Sequence, residues 1–256
     1  MITPKLQEFV RAMSLEGLAI PQSPQAPPKE GSPEFSLTDQ ADSWLINGIS
    51  YRNGIYQVEL SKALSQAGTQ DQHAERRKES LTSNDFYTPD YPLFHGIINI
   101  LYQNRESSFK DQIEATKTSL ASLINEKWLM TLTRLAYAPN GSASITHNYH
   151  QPDSYPSTVN NFEGPDGDIT TQPNTQELLN SLLSIPQSPQ EISQIYTWFR
   201  GKPSYLWRVN SKPKKLSERV ARFYAGSDRS YFICDWDPVS SDVSVRVRAK
   251  KIEDVK

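Results

Sequence analysis

The stretch FYAGSDRSYFICDWD, residues 223–237, decides how this chain is read. Residues 218–224 and 230–234 are short runs rich in β-branched and aromatic residues, and Gly226, Ser227 and Asp228 lie between them as turn formers, so a two-stranded hairpin is predicted. Its composition is filtered. Residues 219–248 contain no Lys, Glu, Gln or Met, although these types make up roughly one residue in five of the chain and about six would be expected by counting. What remains is Tyr, Ser, Gly, Asp, Trp and Phe, the palette of recognition loops, in which aromatic rings supply contact area at low entropic cost and small polar residues adapt. Strands disfavour Lys, Glu and Gln in any case. Composition alone therefore leaves a binding hairpin and a plain core hairpin both open.

Upstream, residues 205–209 form another strand-like run, and downstream residues 243–247 form a fourth. Before them the pattern is helical: Ser188-Pro189-Gln190-Glu191 is a capping-box start for a helix over 189–200, and a second short helix is predicted over 175–184. Residues 148–174 are read as a long irregular segment. Residues 128–137 and 142–147 flank Asn140-Gly141, a strong hairpin signal. Helical spacing of apolar residues predicts helices from Asp90 and from Ser107, and residues 44–51 and 54–60 read as strands. The polar stretch 68–83 reads as a loop. At the start, Thr3 and Pro4 open a predicted amphipathic helix bearing Leu6, Phe9, Val10 and Met13, followed by an extended connector with prolines at 21, 24, 27, 28 and 33. Helices in the middle and strands at the end predict an α+β fold with helices packed on a mostly antiparallel sheet and long irregular loops, not alternating βαβ units. The domain division is 1–34 for the helix and connector and 35–256 for the main domain.

The chain has 256 residues and a formal net charge of −2, which gives no global reason to bind nucleic acid or an anionic membrane. No signal peptide or membrane span is read, so a cytoplasmic location is expected unless export uses another route. The one cysteine, Cys234, excludes an internal disulfide and a multi-cysteine metal site. His147, His150 and Asp153 cluster in sequence, but their spacing suits no common zinc pattern. Gln151-Pro152-Asp153 matches the sugar-contacting tripeptide of calcium-dependent lectins without the Trp-Asn-Asp partner that should follow, and Asp166-Gly-Asp168 lacks the carboxylates of an EF-hand. A Gly-x-Ser-x-Gly elbow and a glycine-rich phosphate loop are both absent. The basic cluster around Lys212, Lys214 and Lys215 reads as a solvated face. No catalytic residue, metal or cofactor is assigned, and the chain is not read as an enzyme.

Tyr205-Leu-Trp-Arg-Val209, Arg219-Val-Ala-Arg-Phe223, Cys234-Asp-Trp-Asp-Pro238 and the ending Val243-Ser-Val-Arg-Val-Arg248 resemble the variable proteins of diversity-generating retroelements, of the archaeal, nanoarchaeal type, over about the last 50 residues. The resemblance implies a C-type lectin-like fold that displays diversified residues from a rigid scaffold, with a variable region at about 219–248. It also implies mutagenesis directed by template adenines, typically in AAC codons, which cannot become Lys, Glu, Gln or Met; Trp236 can come from an AGG codon. Related chains often carry Gly before the closing hydrophobic-Arg pair, where this one has Ser244 before Val245-Arg246. Formylglycine-generating enzymes share the fold and a similar ending, but their chemistry needs a cysteine pair.

On this resemblance the ligand-binding surface is expected to comprise Tyr224, Gly226, Asp228, Ser230, Tyr231, Phe232, Asp235, Trp236, Asp237, Val239, Ser241 and Asp242, with Trp236 and the tyrosines as anchors, each worth about 2 kcal/mol or more if it acts as a hot spot. Ile233 and Cys234 are expected in the core, and Trp236 is expected to be exposed. The partner would be a macromolecular ligand, a protein or a cell surface, with no nucleic acid and no membrane insertion. The alternative is an enzyme or fixed-ligand protein on the same fold.

Overall fold

In the computed structural model the described residues are 34–160 and 162–254. The expected N-terminal helix and proline-rich connector lie outside them. The elements run β1 (Ser36–Asp39), β2 (Ser43–Tyr51), β3 (Gly54–Ser61), α1 (Gln70–Ser83), α2 (Tyr91–Gln103), α3 (Lys110–Leu123), β4 (Trp128–Tyr137), β5 (Ala143–His147), β6 (Tyr155–Val159), β7 (Gly167–Asp168), α4 (Thr175–Leu183), α5 (Pro189–Arg200), β8 (Ser204–Trp207), β9 (Ser217–Ala225), β10 (Ser230–Trp236) and β11 (Val247–Asp254). They form a four-stranded sheet, β1-β2-β3-β11, and a seven-stranded sheet, β6-β5-β4-β9-β10-β8-β7. All pairings are antiparallel except β8 with β10, which is parallel. The fold is α+β.

The helices form where the sequence marks them. Asp90 caps α2 by accepting from the Leu93 amide at 3.0 Å, and Pro92 sits in its first turn. The capping box of α5 closes, with Glu191 N donating to Ser188 Oγ at 3.2 Å and Ser188 N to the Glu191 carboxylate at 2.7 Å; Gly201 then ends the helix at a φ of 66°. Three expectations need correction. The 68–83 stretch is largely helical: α1 opens with a Thr69–Gln72 capping box, and apart from Ala74 its buried residues, Gln70, His73, Arg77 and Ser80, are polar, so no apolar period announces it. Its buried face bonds where other helices would pack. The Gln70 amide donates to the carbonyls of Thr131 and Thr133 on β4 at 2.8 and 3.0 Å. The 148–174 segment is not wholly irregular, since it contains β6 and β7. The last strand begins at Val247 instead of Val243, because the carbonyls of Ser244 and Arg246 accept from Ser65 and Ser61 in a loop crossing, and Val243 makes one isolated bridge with Leu129.

The core between helices and the large sheet is aromatic. Phe223 on β9 and Phe232 on β10 are fully buried, with Tyr196 of α5 5.3 and 4.8 Å from them and Tyr91 of α2 stacked on Phe232 at 5.9 Å. Since strand side chains alternate faces, the residues next to Phe223 and Phe232 emerge on the other side of the sheet.

Candidate ligand-binding surface

On that other side, register builds a row of rings. Tyr224 lies opposite Trp128 on β4 and opposite Tyr231 on β10, and Tyr231 lies beside Tyr205 on β8. The row thus crosses four adjacent strands. Ring centroids are 4.3 Å apart for Trp128–Tyr224, 5.6 Å for Tyr224–Tyr231 and 5.7 Å for Tyr231–Tyr205, close to the spacing of neighbouring strands. Trp207 adds an edge contact to Tyr231 at 5.6 Å. Every ring of this set is half-buried. The first two pairs stack at 15° and 27°, so Tyr224 is sandwiched by neighbours on both sides and its edge and hydroxyl are what remain for solvent.

Trp236 joins the row through an irregularity. Strict alternation would turn it to the helix side with Phe232 and Cys234, but the β9–β10 register shifts between Ile233 and Trp236. The shift re-aims the indole, which packs 4.4 Å from Trp128. Trp236 is half-buried, less open than the sequence reading supposed.

The turn that joins β9 to β10 is fitted to the tyrosines. A Cβ on Gly226 would stand 2.9 Å from Tyr231 and 3.1 Å from Tyr224, so glycine lets the stacked rings close over it. Arg200 at the end of α5 secures this turn from behind, donating to the carbonyls of Ala225 and Gly226 at 3.3 and 3.4 Å and to Ala121 O at 2.7 Å. Asp228 at the exposed tip accepts from the Tyr231 hydroxyl at 3.1 Å; burial and then this bond push the phenol's pKa up. Arg229 lies over the Tyr205 ring at 4.8 Å.

The expected surface residues divide by exposure. Asp228, Asp237, Ser241 and Val239, the last 77% exposed, are open to solvent, while Tyr224, Tyr231, Asp235, Trp236 and Asp242 are half-buried. Phe232, Ser230 and Gly226 are buried. Phe232 and Ser230 are corrections: both share the inward parity of β10, and their side chains belong to the core and not to the surface. Ile233 and Cys234 are buried as expected, with burial pushing the Cys234 thiol up and its carbonyl accepting from Tyr137 at 2.5 Å. Asp235 also has a raised pKa, from burial and then from the Asp166 charge. Sequence reasoning missed Trp128, Tyr205, Trp207 and Arg222 as members of the surface or its floor. Their strands were legible, but which strands lie side by side, and in what register, was not.

The loop residues considered for metal or sugar chemistry have separate partners. His147 is buried between Thr133 Oγ1 at 3.1 Å and the Ser181 carbonyl at 3.0 Å, which fixes its Nε2 as the donor and its Nδ1 as the acceptor, and burial lowers its pKa. His150 stacks on Tyr149, and Asp153 pairs with Arg52 at 3.0 Å. Among the described residues no group of His, Cys, Asp and Glu is placed to hold a metal ion, and no helix is long and apolar enough to cross a membrane. Comparisons with protein-family models, curated proteins and solved structures found no match to this chain.

Proposed function

We propose that this chain is a ligand-binding display protein on a C-type lectin-like fold, whose C-terminal region is diversified by a retroelement to recognise changing macromolecular ligands. The observation that supports it best is the ring row aligned across β4, β9, β10 and β8 and bordered by the exposed tips Asp228, Asp237, Val239 and Ser241. An aromatic surface on a rigid sheet with adaptable polar residues at its margin is suited to protein recognition, because the rings lose little entropy on contact. Sugars and bases bind aromatic platforms through free ring faces; here the faces of Trp128 and Tyr224 are taken up by neighbours and edges remain. That favours a protein surface as the ligand.

The depletion of Lys, Glu, Gln and Met over 219–248 fits adenine-directed diversification, and it covers Tyr224, Tyr231 and Trp236 while leaving Trp128, Tyr205 and Trp207 outside. The surface would then have a changing half and a constant half. The test is the DNA flanking the gene: a near-copy of the segment encoding 219–248, differing at template adenines and lying beside a reverse transcriptase, is expected. Absence of any such copy overturns the retroelement reading and leaves a fixed-ligand binder or an enzyme on this fold.

A further inference from the structure

Arg222 sits in the middle of β9, two residues from Tyr224 and on the same face by strand parity, yet it is fully buried. A lone cation on the floor of a binding surface is costly unless it is paired and hydrogen-bonded. Arg222 is both. Its guanidinium forms an ion pair with Asp242, donates to the Ser240 carbonyl at 3.0 Å and lies 5.1 Å from the Trp236 ring. Burial pulls its pKa down to about 9, which still leaves it charged at neutral pH. Ser240 and Asp242 belong to the segment that leaves β10 and passes beside the ring row, and Trp236 is the last residue of the strand.

Asp242 is held from other directions as well. Its amide donates to Gly68 O at 3.0 Å, and its carbonyl accepts from Gly68 N at 3.0 Å and from His73 Nε2 at 2.9 Å. Beyond it, Met130 N donates to Val243 O at 2.8 Å, and Ser244 Oγ donates to Met130 O at 2.7 Å. The tip has far less. Val239 N bonds the Asp237 carboxylate at 3.1 Å and Ser240 N bonds Asp237 O at 3.2 Å, both within the turn itself. The Ser240 carbonyl on Arg222 is thus the bond that ties the tip down to the sheet.

We propose that Arg222 is the positioning residue of the 237–242 loop, fixing the loop and the adjacent Trp236 as one margin of the binding surface, and that Asp242 belongs to this clamp instead of contacting ligand. The inference rests on the binding-surface reading above. It explains why a charge is kept where an apolar side chain would fill the strand equally well, since buried ion pairs contribute little net stability and are best attested as devices that set a single arrangement. It also divides the loop into a held base at Asp242 and a free tip at Val239 and Ser241, where side chains could change without disturbing the frame.

Hydrogen exchange on the full chain tests this without any ligand. In the paired replacement Arg222→Met with Asp242→Asn, which leaves no charge stranded, the 239–241 amides are expected to exchange at least tenfold faster while the residue 242 amide, held by Gly68 O, and the β9 and β10 amides stay protected and Tm moves little. Arg222→Lys, which can keep the ion pair but not its second bond, should fall between. Loop exchange unchanged in the paired variant, or faster exchange spread evenly over the sheet, overturns the proposal. Because no ligand enters, failure here counts against the clamp alone, whereas failure to find a template copy counts against the retroelement reading.

Discussion

On the helix side of the large sheet, Phe223 and Phe232 are fully buried against Tyr91 and Tyr196; one residue along each strand, Tyr224 and Tyr231 stack on the opposite face and remain half-buried. Both faces are aromatic. They differ in what touches the rings: helices fill the space over the phenylalanines, while the tyrosines are supported sideways by one another and by Trp128. Lateral stacking at strand spacing keeps rings rigid without covering them, which is what a preorganised contact surface requires. Ring content alone therefore does not separate the core from the open face here; strand parity and register do.

The largest effect that would break this contrast is on the buried side. Phe232→Ala should cost about 3–5 kcal/mol in urea unfolding, since it empties a filled core position. A cost near 1 kcal/mol would mean that the two faces are not distinct in packing.

Next comes acidification. His73 and His95 are buried and neutral, each with its pKa lowered to about 4, mainly by desolvation. A folded-state value below the unfolded one means the unfolded chain takes up the proton first, so stability is present above pH 6.5 and is lost as pH falls towards 4. Between pH 7 and 5.5 each should remove about 1 kcal/mol, measured as the fall in unfolding free energy. His95 bonds Tyr196 and Gln187 on the helix side, and His73 bonds Asp242 under the loop, whereas the ring row itself contains no histidine. His95→Gln should accordingly remove one share of this pH dependence, leaving those of His73 and of His147, whose pKa burial also lowers, and an unchanged slope would contradict the assignment.

Smaller effects probe the open face. Gly226→Ala should cost about 1 kcal/mol and alter the near-ultraviolet circular dichroism of the tyrosines, because the new methyl group meets both rings. Tyr205→Ala, at the half-exposed end of the row, should cost less than about 1 kcal/mol in stability. A cost as large as that of Phe232→Ala would show that the row is a second core and not a surface.

How far the sequence carried this picture follows from the same distinction. The helices α2, α3, α4 and α5 and the hairpins were legible because caps, apolar periodicity and Asn-Gly are local signals. Helix α1 was not, because it buries Gln70, His73 and Arg77 through hydrogen bonds and ion pairs instead of apolar packing. The filtered composition picked out the hairpin that carries Tyr224, Tyr231 and Trp236 on the open face, but it could not exclude Phe232, which shares the palette and differs only in parity. Trp128, Tyr205 and Trp207 enter the surface through pairings between strands far apart in sequence, and Trp236 enters through a register shift. None of these leaves a local mark.

The most direct test of the central claim is to sequence the segment encoding 219–248 across many copies of this gene. The account predicts that substitutions concentrate at Tyr224, Asp228, Tyr231, Asp235, Trp236, Asp237, Val239 and Ser241, while Phe223, Phe232, Arg222 and Asp242 stay fixed. Substitutions spread evenly over inward and outward positions, or confined to the inward ones, would contradict it.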